Sequence, residues 1–330
     1  MNGCHVTKQI HALIADIGAT NSRVAAIYGD DLTKYHSVEI YRSGDFNGPD
    51  EIIRHYCTEQ NVELPNLILL AIAAPVDLND IQFVNNHWAF KLTDIQERLL
   101  PAQVHFFNDV EMLGYALPHL PDTSLLQIGG GMLLEKAPKL AISLGSGIGT
   151  SLVIHHHDWL AIPSEGGHSS MMMDDVFIRE FWDYLKNSNK NEIIIEDFIA
   201  GKKGIPQLID FLHTTSEQMG DKPTPIELVE RLINKKDAFA VQLFTRYCAM
   251  IGKVAKNYTL ITGAKAVYLA GGIIPRFLEF FAQSEFRASF EASTSVGQLL
   301  ENIPTFVVTD PYPALTGLTR KVAYMEDTKE

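Results

Sequence analysis

The sequence predicts an α/β fold, and two observations support this prediction. Short apolar runs typical of buried strands alternate along the chain with segments whose apolar residues recur at helical spacing. In addition, residues 13–28 and 140–155 share one pattern, in which a strand-like run, a small-residue turn and a second strand-like run follow each other. Strands interleaved with helices favour largely parallel sheets. We therefore expect an α/β protein with largely parallel sheets and a duplicated hairpin.

Several short runs have the composition of strands, and several longer segments have the spacing of helices. The strand-like runs are residues 12–15, 24–28, 67–74, 104–107, 140–144, 151–154, 267–270 and 305–308. The helical segments are residues 50–59, 93–100, 225–260, which we interpret as two helices, and 276–292. Pro101 marks the end of the second helical segment, because proline cannot continue a helix.

The turns of the duplicated hairpin are rich in glycine. Gly18 aligns with Gly145, and the polar residues Asp16 and Ser143 stand at matched positions before the turns. Glycine lets backbone N–H groups approach an anion closely, because no Cβ stands in the way. The alternative is two ordinary hairpins whose glycines supply a positive φ. The repetition favours a phosphate clamp built by duplication.

The composition is that of a globular protein, with 46% hydrophobic and 20% charged residues. A net charge of -13 and a pI near 5.4 argue against a nucleic-acid surface and against binding to an anionic membrane. An anionic substrate would therefore be held by local dipoles and a metal ion. The longest apolar stretch, residues 67–76, is too short to cross a bilayer.

The cysteines Cys4, Cys57 and Cys248 are few, odd in number and widely spaced. This usage suits a reducing compartment and fits neither a disulfide framework nor a zinc knuckle. Asp16 interrupts the first apolar run, so no signal peptide is apparent. We expect a cytoplasmic protein.

Asn108 and Asp109 follow an apolar strand-like run. A carboxylate at the carboxyl end of a strand in an α/β sheet commonly faces a ligand crevice. The pair supplies a donor, several acceptors and a potential base. The alternative is a turn or the N-cap of a helix over residues 111–117.

Glu165 and His168 bracket two glycines in a tight loop, so that their side chains can converge on one ligand. Carboxylate and imidazole together suit vicinal hydroxyls of a sugar, one accepting and the other donating. Metal ligation by this pair is the alternative, although no partner set is apparent. Further on, Gly271 and Gly272 follow another strand-like run and would let a flat ligand such as adenine lie against the backbone.

Taken in order, these elements resemble the bacterial glucokinases of the hexokinase and actin-like ATPase superfamily over nearly the whole chain. The motifs are DIGATNSR at 16–23, AAPV at 73–76, NNHWAF at 85–90, FNDV at 107–110, LGSGIG at 144–149, PSEGGH at 163–168, LAGGIIPRFLEFF at 269–281 and TDPYPALTG at 309–317.

The resemblance implies a two-lobed hexokinase/actin-like (ribonuclease H-like) α/β fold with a cleft between a small and a large domain. The small α/β domain would comprise residues 1–110 and 316–330, because the motif at 309–317 resembles a crossing back to the first lobe. The large α+β domain would comprise residues 111–315.

By the same resemblance, the two glycine turns and the late glycine pair bind ATP, and the other motifs bind the sugar. The ATP-binding residues so implied are Asp16, Gly18, Ala19, Thr20, Asn21, Gly145, Ser146, Gly147, Gly271 and Gly272. The sugar-binding residues are Asn108, Asp109, Gly145, Glu165, His168 and Glu196, with Asp109 as the catalytic base. Asp16 is expected to hold Mg²⁺, through water.

This chain departs from the family pattern at three places. Lys202 and Lys203 stand in a turn that is commonly Ser-Gly-Pro-Gly, and Ser169 and Ser170 follow His168 where Val-Asp is frequent. Ala19 replaces a common glycine. These departures concern sugar preference and efficiency more than reaction class. For Glu196 the alternative is a solvated carboxylate at a helix start.

The resemblance predicts ATP-dependent phosphorylation of glucose at the 6-hydroxyl, by a cytoplasmic homodimeric enzyme of glycolysis. A kinase for another hexose or an N-acetylated hexose is the nearest alternative. A sugar-sensing regulator would need a DNA-binding module, but only about ten residues precede the first strand-like run, and the charge is acidic. An actin-like ATPase would not need Glu165 with His168.

Overall fold

The computed structural model describes residues 10–29, 31–83, 87–188, 192–215, 221–235 and 237–327. Cys4 and the two asparagines of the motif at 85–90 lie outside these residues. The chain divides into two compact units. The first is Met1–Leu120 with Trp159–Ala161 and Pro311–Glu330, and the second is Pro121–Asp158 with Ile162–Asp310.

The described residues form thirteen strands and twelve α-helices. The strands are β1 Ile10–Ile17, β2 Asn21–Tyr28, β3 His36–Arg42, β4 Leu67–Ile72, β5 Asp80–Gln82, β6 Ala89–Lys91, β7 Gln103–Asn108, β8 Leu125–Gly129, β9 Lys139–Leu144, β10 Ile148–His155, β11 Trp159–Ser164, β12 Ala266–Ala270 and β13 Thr305–Val308. The helices are α1 Pro49–Glu59, α2 Leu92–Arg98, α3 Asp109–Ala116, α4 Val176–Asn187, α5 Glu196–Ile199, α6 Gly204–Thr215, α7 Pro225–Glu230, α8 Ala238–Thr262, α9 Leu278–Ala282, α10 Phe286–Glu291, α11 Gly297–Glu301 and α12 Pro313–Asp327. Helix α7 runs into a π-helical segment, Arg231–Lys235.

A five-stranded sheet in the order β3-β2-β1-β4-β7 forms the centre of the first unit. Successive side chains of a strand point to opposite faces. Leu13 and Ala15 of β1 therefore pack in a core shared with α1 and α2, and Ala12 and Ile14 pack in a second core shared with α3 and α12. Because both faces are buried, the central strands form continuous apolar runs in the sequence.

A six-stranded sheet in the order β11-β10-β9-β12-β13-β8 forms the centre of the second unit. Its first five strands repeat the order of the first sheet, with β9 and β10 in the places of β1 and β2. Both hairpins are antiparallel, and both are followed by two parallel neighbours, β4 and β7 or β12 and β13. The duplicated hairpin of the sequence is therefore part of a duplicated sheet.

The predicted α/β class is confirmed, and two details of the prediction are wrong. The sheets are mixed, because the β1–β2, β2–β3, β9–β10 and β8–β13 pairs are antiparallel. The sequence predicts one helix over residues 276–292, but the structure has three separate helices there. They are the end of a short 3₁₀ helix, then α9, then α10. Ser284 separates the last two, since its hydroxyl donates to the Phe281 carbonyl (2.7 Å) and accepts from the Phe286 N–H (3.3 Å).

The first unit extends beyond residue 110, where the sequence places the domain boundary. Helices α3 and α12 pack so closely that a Cβ at Gly317 would lie 1.8 Å from the Met112 carbonyl oxygen. This packing keeps α3 with the first unit, which continues to Leu120. Among the described residues, no helix is both long and apolar enough to span a membrane.

Candidate active site

The turn between β1 and β2 is fixed by Ser43. Ile17 pairs with Ser22, so the turn comprises residues 18–21. Ser43 donates from its hydroxyl to the Gly18 carbonyl (2.7 Å) and from its backbone N–H to the Thr20 carbonyl (3.0 Å). Within the described residues, the N–H groups of Gly18 and Thr20 donate to no protein acceptor. Two carbonyls of the turn are therefore bonded to Ser43, and the N–H groups of Gly18 and Thr20 are left for an anion.

Close packing, not a left-handed backbone, explains Gly18 in the first turn and Gly147 in the second. Neither Gly18 nor Gly145 has a positive φ, so the interpretation as ordinary hairpins with left-handed glycines is wrong. A Cβ at Gly18 would lie 2.7 Å from the Asn21 carbonyl oxygen. A Cβ at Gly147 would lie 2.5 Å from a carboxylate oxygen of Glu196.

Asp16, at the end of β1, is paired with Arg23 directly across the hairpin. The Arg23 guanidinium donates to Asp16 Oδ2 at 3.0 Å. Burial raises the pKa of Asp16, and Arg23 opposes that rise. The arginine thus favours the charged carboxylate, which is the form that binds a cation.

The donor set fits a Mg²⁺ ion held mainly by the substrate. No group of three candidate metal ligands occurs in the described part of the chain. Mg²⁺ usually keeps several waters and is bound by one or two carboxylates plus substrate phosphates. A single carboxylate at Asp16, beside a turn with available N–H groups, matches that description.

Asn108 and Asp109 lie where β7 ends and α3 begins. The Asn108 side-chain oxygen accepts from the N–H groups of Val110 (2.9 Å) and Glu111 (3.3 Å), so the predicted alternative of a helix N-cap is confirmed for Asn108. Its amide nitrogen also donates to the Ala74 carbonyl (3.3 Å). Half-buried Asp109 accepts from the Val110 N–H at 2.9 Å, which orients its carboxylate.

The second turn, residues 145–147, is one residue shorter than the first, and a later segment holds it. Gly201 donates its N–H to the Gly145 carbonyl (2.8 Å), and Lys202 donates its N–H to the Ser146 carbonyl (3.4 Å). In the part of the chain that the structure describes, the N–H groups of the last two turn residues have no acceptor. Both hairpin turns therefore present N–H groups in the same way.

Glu196 joins the second turn to the loop that carries Glu165 and His168. Its Oε1 accepts from the Ile148 N–H at 2.7 Å, and its Oε2 lies 3.7 Å from the Lys203 ammonium. A Cβ at Gly167 would lie 3.1 Å from Glu196 Cγ. Glu196 is only 8% exposed. The alternative of a solvated carboxylate is therefore wrong.

The side chains of Glu165 and His168 meet, as their spacing predicts. Glu165 Oε2 lies 3.3 Å from His168 Nδ1, and both side chains are exposed. The backbone between them is a 3₁₀ turn, Gly166–His168. Since neither side chain is held by burial, the position of the pair depends on the backbone of this loop.

Gly271 and Gly272 lie beside the second turn. Gly271 has a φ of 97°, and a Cβ there would lie 2.2 Å from the Leu144 carbonyl oxygen. Nothing lies within 4 Å of a Cβ placed at Gly272. A Cβ at Gly201 would lie 2.8 Å from Ile273 Cδ1. Three glycine-containing segments therefore converge in the second unit.

The comparisons with known proteins agree on one family. A family model described as glucokinase matches residues 13–325. A glucokinase of Hahella chejuensis is 31% identical over 326 residues, which are 97% of this chain and 99% of the relative. A glucokinase of Neisseria meningitidis is 32% identical over 307 residues, 92% of each chain. The chain belongs to the glucokinase family.

Solved structures of glucokinases share the fold. A Balamuthia mandrillaris glucokinase in complex with glucose has a TM-score of 0.80 at 19% identity. The match covers 96% of this chain and 94% of the Balamuthia chain. A ROK-family glucokinase from Streptomyces griseus in complex with glucose and AMPPNP has a TM-score of 0.63 at 16% identity. The match covers 94% of this chain and 98% of the Streptomyces chain. These likenesses confirm the predicted hexokinase-like α/β fold.

Within this glucokinase family member, each unit brings together part of the predicted set. The first unit holds the turn after Asp16, which follows β1. It also holds the Asn108–Asp109 pair at the end of β7, and β4 alone lies between β1 and β7 in the sheet. The second unit gathers the second turn, Glu196, the loop with Glu165 and His168, and the late glycines.

Sequence reasoning missed the residues that hold these groups in place. Ser43, Arg23 and Lys203 all contact predicted site residues. Arg23 could have been found, because it faces Asp16 across a hairpin of fixed register. Ser43 carries no signal in the sequence, since its contact depends on how β3 ends against the first turn.

Proposed function

We propose that the protein transfers the γ-phosphoryl group of ATP to the 6-hydroxyl of D-glucose, giving glucose 6-phosphate and ADP. One observation carries the proposal: buried Glu196 contacts both the turn with available N–H groups and the loop with Glu165 and His168. Groups suited to phosphate thus lie next to groups suited to sugar hydroxyls. That adjacency supports phosphoryl transfer to a sugar, as does membership of the glucokinase family.

Asp109 is proposed as the general base. The 6-hydroxyl oxygen forms a bond to the γ-phosphorus as the bond from that phosphorus to the β,γ-bridging oxygen breaks, and the hydroxyl proton passes to the Asp109 carboxylate. Such proton transfer contributes a factor of roughly 10²–10⁴, so most of the acceleration comes from positioning and charge stabilisation.

The sugar is proposed to be held by Asn108, Glu165, His168 and Glu196. Carboxylates accept from hydroxyls, and the imidazole and the amide can both accept and donate. Glu165 and His168 are exposed and 3.3 Å apart, so they can bind adjacent hydroxyls together. Buried Glu196, with Oε1 occupied by the Ile148 N–H, would offer Oε2.

ATP is proposed to be held by the N–H groups of the two turns, with adenine beside Gly271 and Gly272. The open space at Gly272 supports a flat ligand there. When bound, Mg²⁺ neutralises charge on the transferred phosphoryl group, and Asp16 would hold it, through water.

The cytoplasm as location, glycolysis as context and a homodimer as the assembly are also proposals. Two-fold dimers are the commonest oligomers. Light scattering should give twice the 36.8 kDa chain mass at micromolar concentration, and a 36.8 kDa particle would contradict the dimer.

A coupled assay of ADP release across a panel of sugars tests the proposed function. We expect glucose-dependent turnover with glucose 6-phosphate as the product. Turnover with another hexose but not with glucose would move the protein to a neighbouring sugar kinase. ATP turnover that does not respond to any sugar would contradict a sugar kinase altogether.

A further inference from the structure

The carbonyl of Gly166, inside the loop that carries Glu165 and His168, is a point where three donors meet. Tyr258 donates its hydroxyl to this oxygen at 2.5 Å. Ser169 donates its hydroxyl at 2.7 Å and its backbone N–H at 3.0 Å. The two hydroxyl oxygens lie 3.4 Å apart. One oxygen of the loop is therefore held by two side chains, one at the end of the same loop and one 92 positions away in the sequence.

Tyr258 is itself held firmly. It lies on α8, the longest helix among the described residues, and its ring packs against the loop, since a Cβ at Gly166 would lie 3.1 Å from Tyr258 Cζ. Burial raises the pKa of the phenol, so the hydroxyl keeps its proton at physiological pH and can donate. A rigid helix thus presents a donor to the middle of the loop.

Ser169 extends this contact to Glu196. The Ser169 carbonyl accepts from the Ile195 N–H at 2.8 Å, and Ile195 immediately precedes Glu196. The loop and the helix that begins with Glu196 are therefore tied by the same residue. Ser169 is also one of the positions where this chain departs from the Val-Asp pattern that is frequent in similar sequences.

The exposed pair Glu165 and His168 needs such a support. Their side chains are exposed, at 61% and 59%, and contact each other, so burial does not hold them. Protein groups that bind a ligand must be kept within a fraction of an ångström of the productive geometry. Hydrogen bonds to the neighbouring backbone keep them in that geometry. For this pair, the bonds to the Gly166 carbonyl are such a support.

We propose that Tyr258 and Ser169 are positioning residues for glucose binding, which hold the loop so that Glu165 and His168 face the sugar hydroxyls together. The inference rests on the proposed function and deepens it. Neither residue contacts the second glycine turn through these bonds, so the effect concerns the sugar and leaves the nucleotide unaffected.

The test compares Tyr258→Phe and Ser169→Ala with the wild type and with Tyr56→Phe. Tyr56 is a matched control, because its hydroxyl also donates to a backbone carbonyl (Ser37, 2.8 Å) but lies in the first unit. Four quantities are measured for each of these proteins. They are the Kd for glucose by calorimetry without nucleotide, the KM for glucose, the KM for ATP, and the Tm.

We expect both loop variants to raise the Kd and KM for glucose by roughly 3- to 10-fold, the effect of one lost hydrogen bond. KM for ATP should stay within about twofold, and Tyr56→Phe should bind glucose like the wild type. The double variant should lose less than the product of the single losses, because both residues act on one carbonyl.

Two results would overturn the inference. Unchanged glucose affinity in both loop variants would show that the loop needs no such support. A parallel rise of both KM values with a lowered Tm would show a general structural role. Failure of the wild type itself to bind glucose would instead overturn the proposed function, and this inference with it.

Discussion

The substitution Gly147→Ala tests the arrangement around Glu196. A Cβ at this position would lie 2.5 Å from Glu196 Oε1, whereas real Cβ atoms essentially never lie closer than 3.0 Å to a neighbour. The carboxylate, which is the far end of a flexible side chain, must therefore move by at least about 0.5 Å, and this disturbs the hydrogen bond that it accepts from the Ile148 N–H at 2.7 Å. Gly147 does not have a positive φ, so the backbone itself accepts alanine.

The expected loss follows from this one hydrogen bond. A hydrogen bond to a charged group contributes about 1.5–3 kcal/mol, and here both partners are buried. A shift of about 0.5 Å weakens this bond without breaking it, so Gly147→Ala should lower the free energy of unfolding by about 0.5–1.5 kcal/mol. Glucose affinity should fall by roughly 3- to 10-fold, because the Glu196 carboxylate is shifted from its position.

Gly145→Ala is the matched control on the same turn. The nearest atom to its Cβ would be the Gly147 carbonyl oxygen at 3.9 Å, which is ordinary contact. Its stability should equal the wild type or exceed it by up to about 1 kcal/mol. Urea unfolding and calorimetric glucose binding, both without nucleotide, compare the two variants. If Gly147→Ala had the same stability and the same glucose affinity as Gly145→Ala, the reasoning would be refuted.

Two further predictions concern the sugar and the first unit. Glucose should be favoured over 2-deoxyglucose and N-acetylglucosamine by at least about tenfold in kcat/KM, and Glu165→Ala should reduce that preference, because a site built for hydroxyls rejects a sugar that lacks or blocks one. Equal turnover of N-acetylated sugars would contradict the roles of Glu165 and His168. Gly317→Ala should destabilise the protein by about 3 kcal/mol, since its Cβ would lie 1.8 Å from a backbone oxygen, whereas Gly44→Ala, with nothing within 4 Å, should have little effect in thermal unfolding. Similar Tm values for these two variants would contradict the close packing of α3 and α12.

The central strands were predictable from the sequence, and the edge strands were not. Strands such as β4 are buried at every residue and form continuous apolar runs. Strand β3 is an edge strand in which only Tyr41 is buried, so its sequence has no continuous apolar run. Strand direction was also beyond the sequence, because an apolar run is the same in a parallel or an antiparallel pair.

Local parts of the site were predictable, and the contacts between them were not. The spacing of Glu165 and His168 and the position of Asp109 after a strand follow from short motifs. The contact of Glu196 with Gly147 joins residues 49 positions apart, and Tyr258 is 92 positions from Gly166. Tyr258 fits the apolar pattern of α8, so the sequence predicts a packing role for its ring and does not indicate the contact of its hydroxyl.

Asp109→Asn tests the central claim, phosphoryl transfer to glucose with Asp109 as the base, most directly. Asparagine keeps an oxygen that can accept from the Val110 N–H, so the fold and the helix start should be preserved. Glucose binding should stay within about 1–2 kcal/mol of the wild type, measured by calorimetry. Formation of glucose 6-phosphate from ATP and glucose should fall by at least about 100-fold, the contribution of a general base. Turnover near that of the wild type, with glucose binding intact, would contradict the assignment.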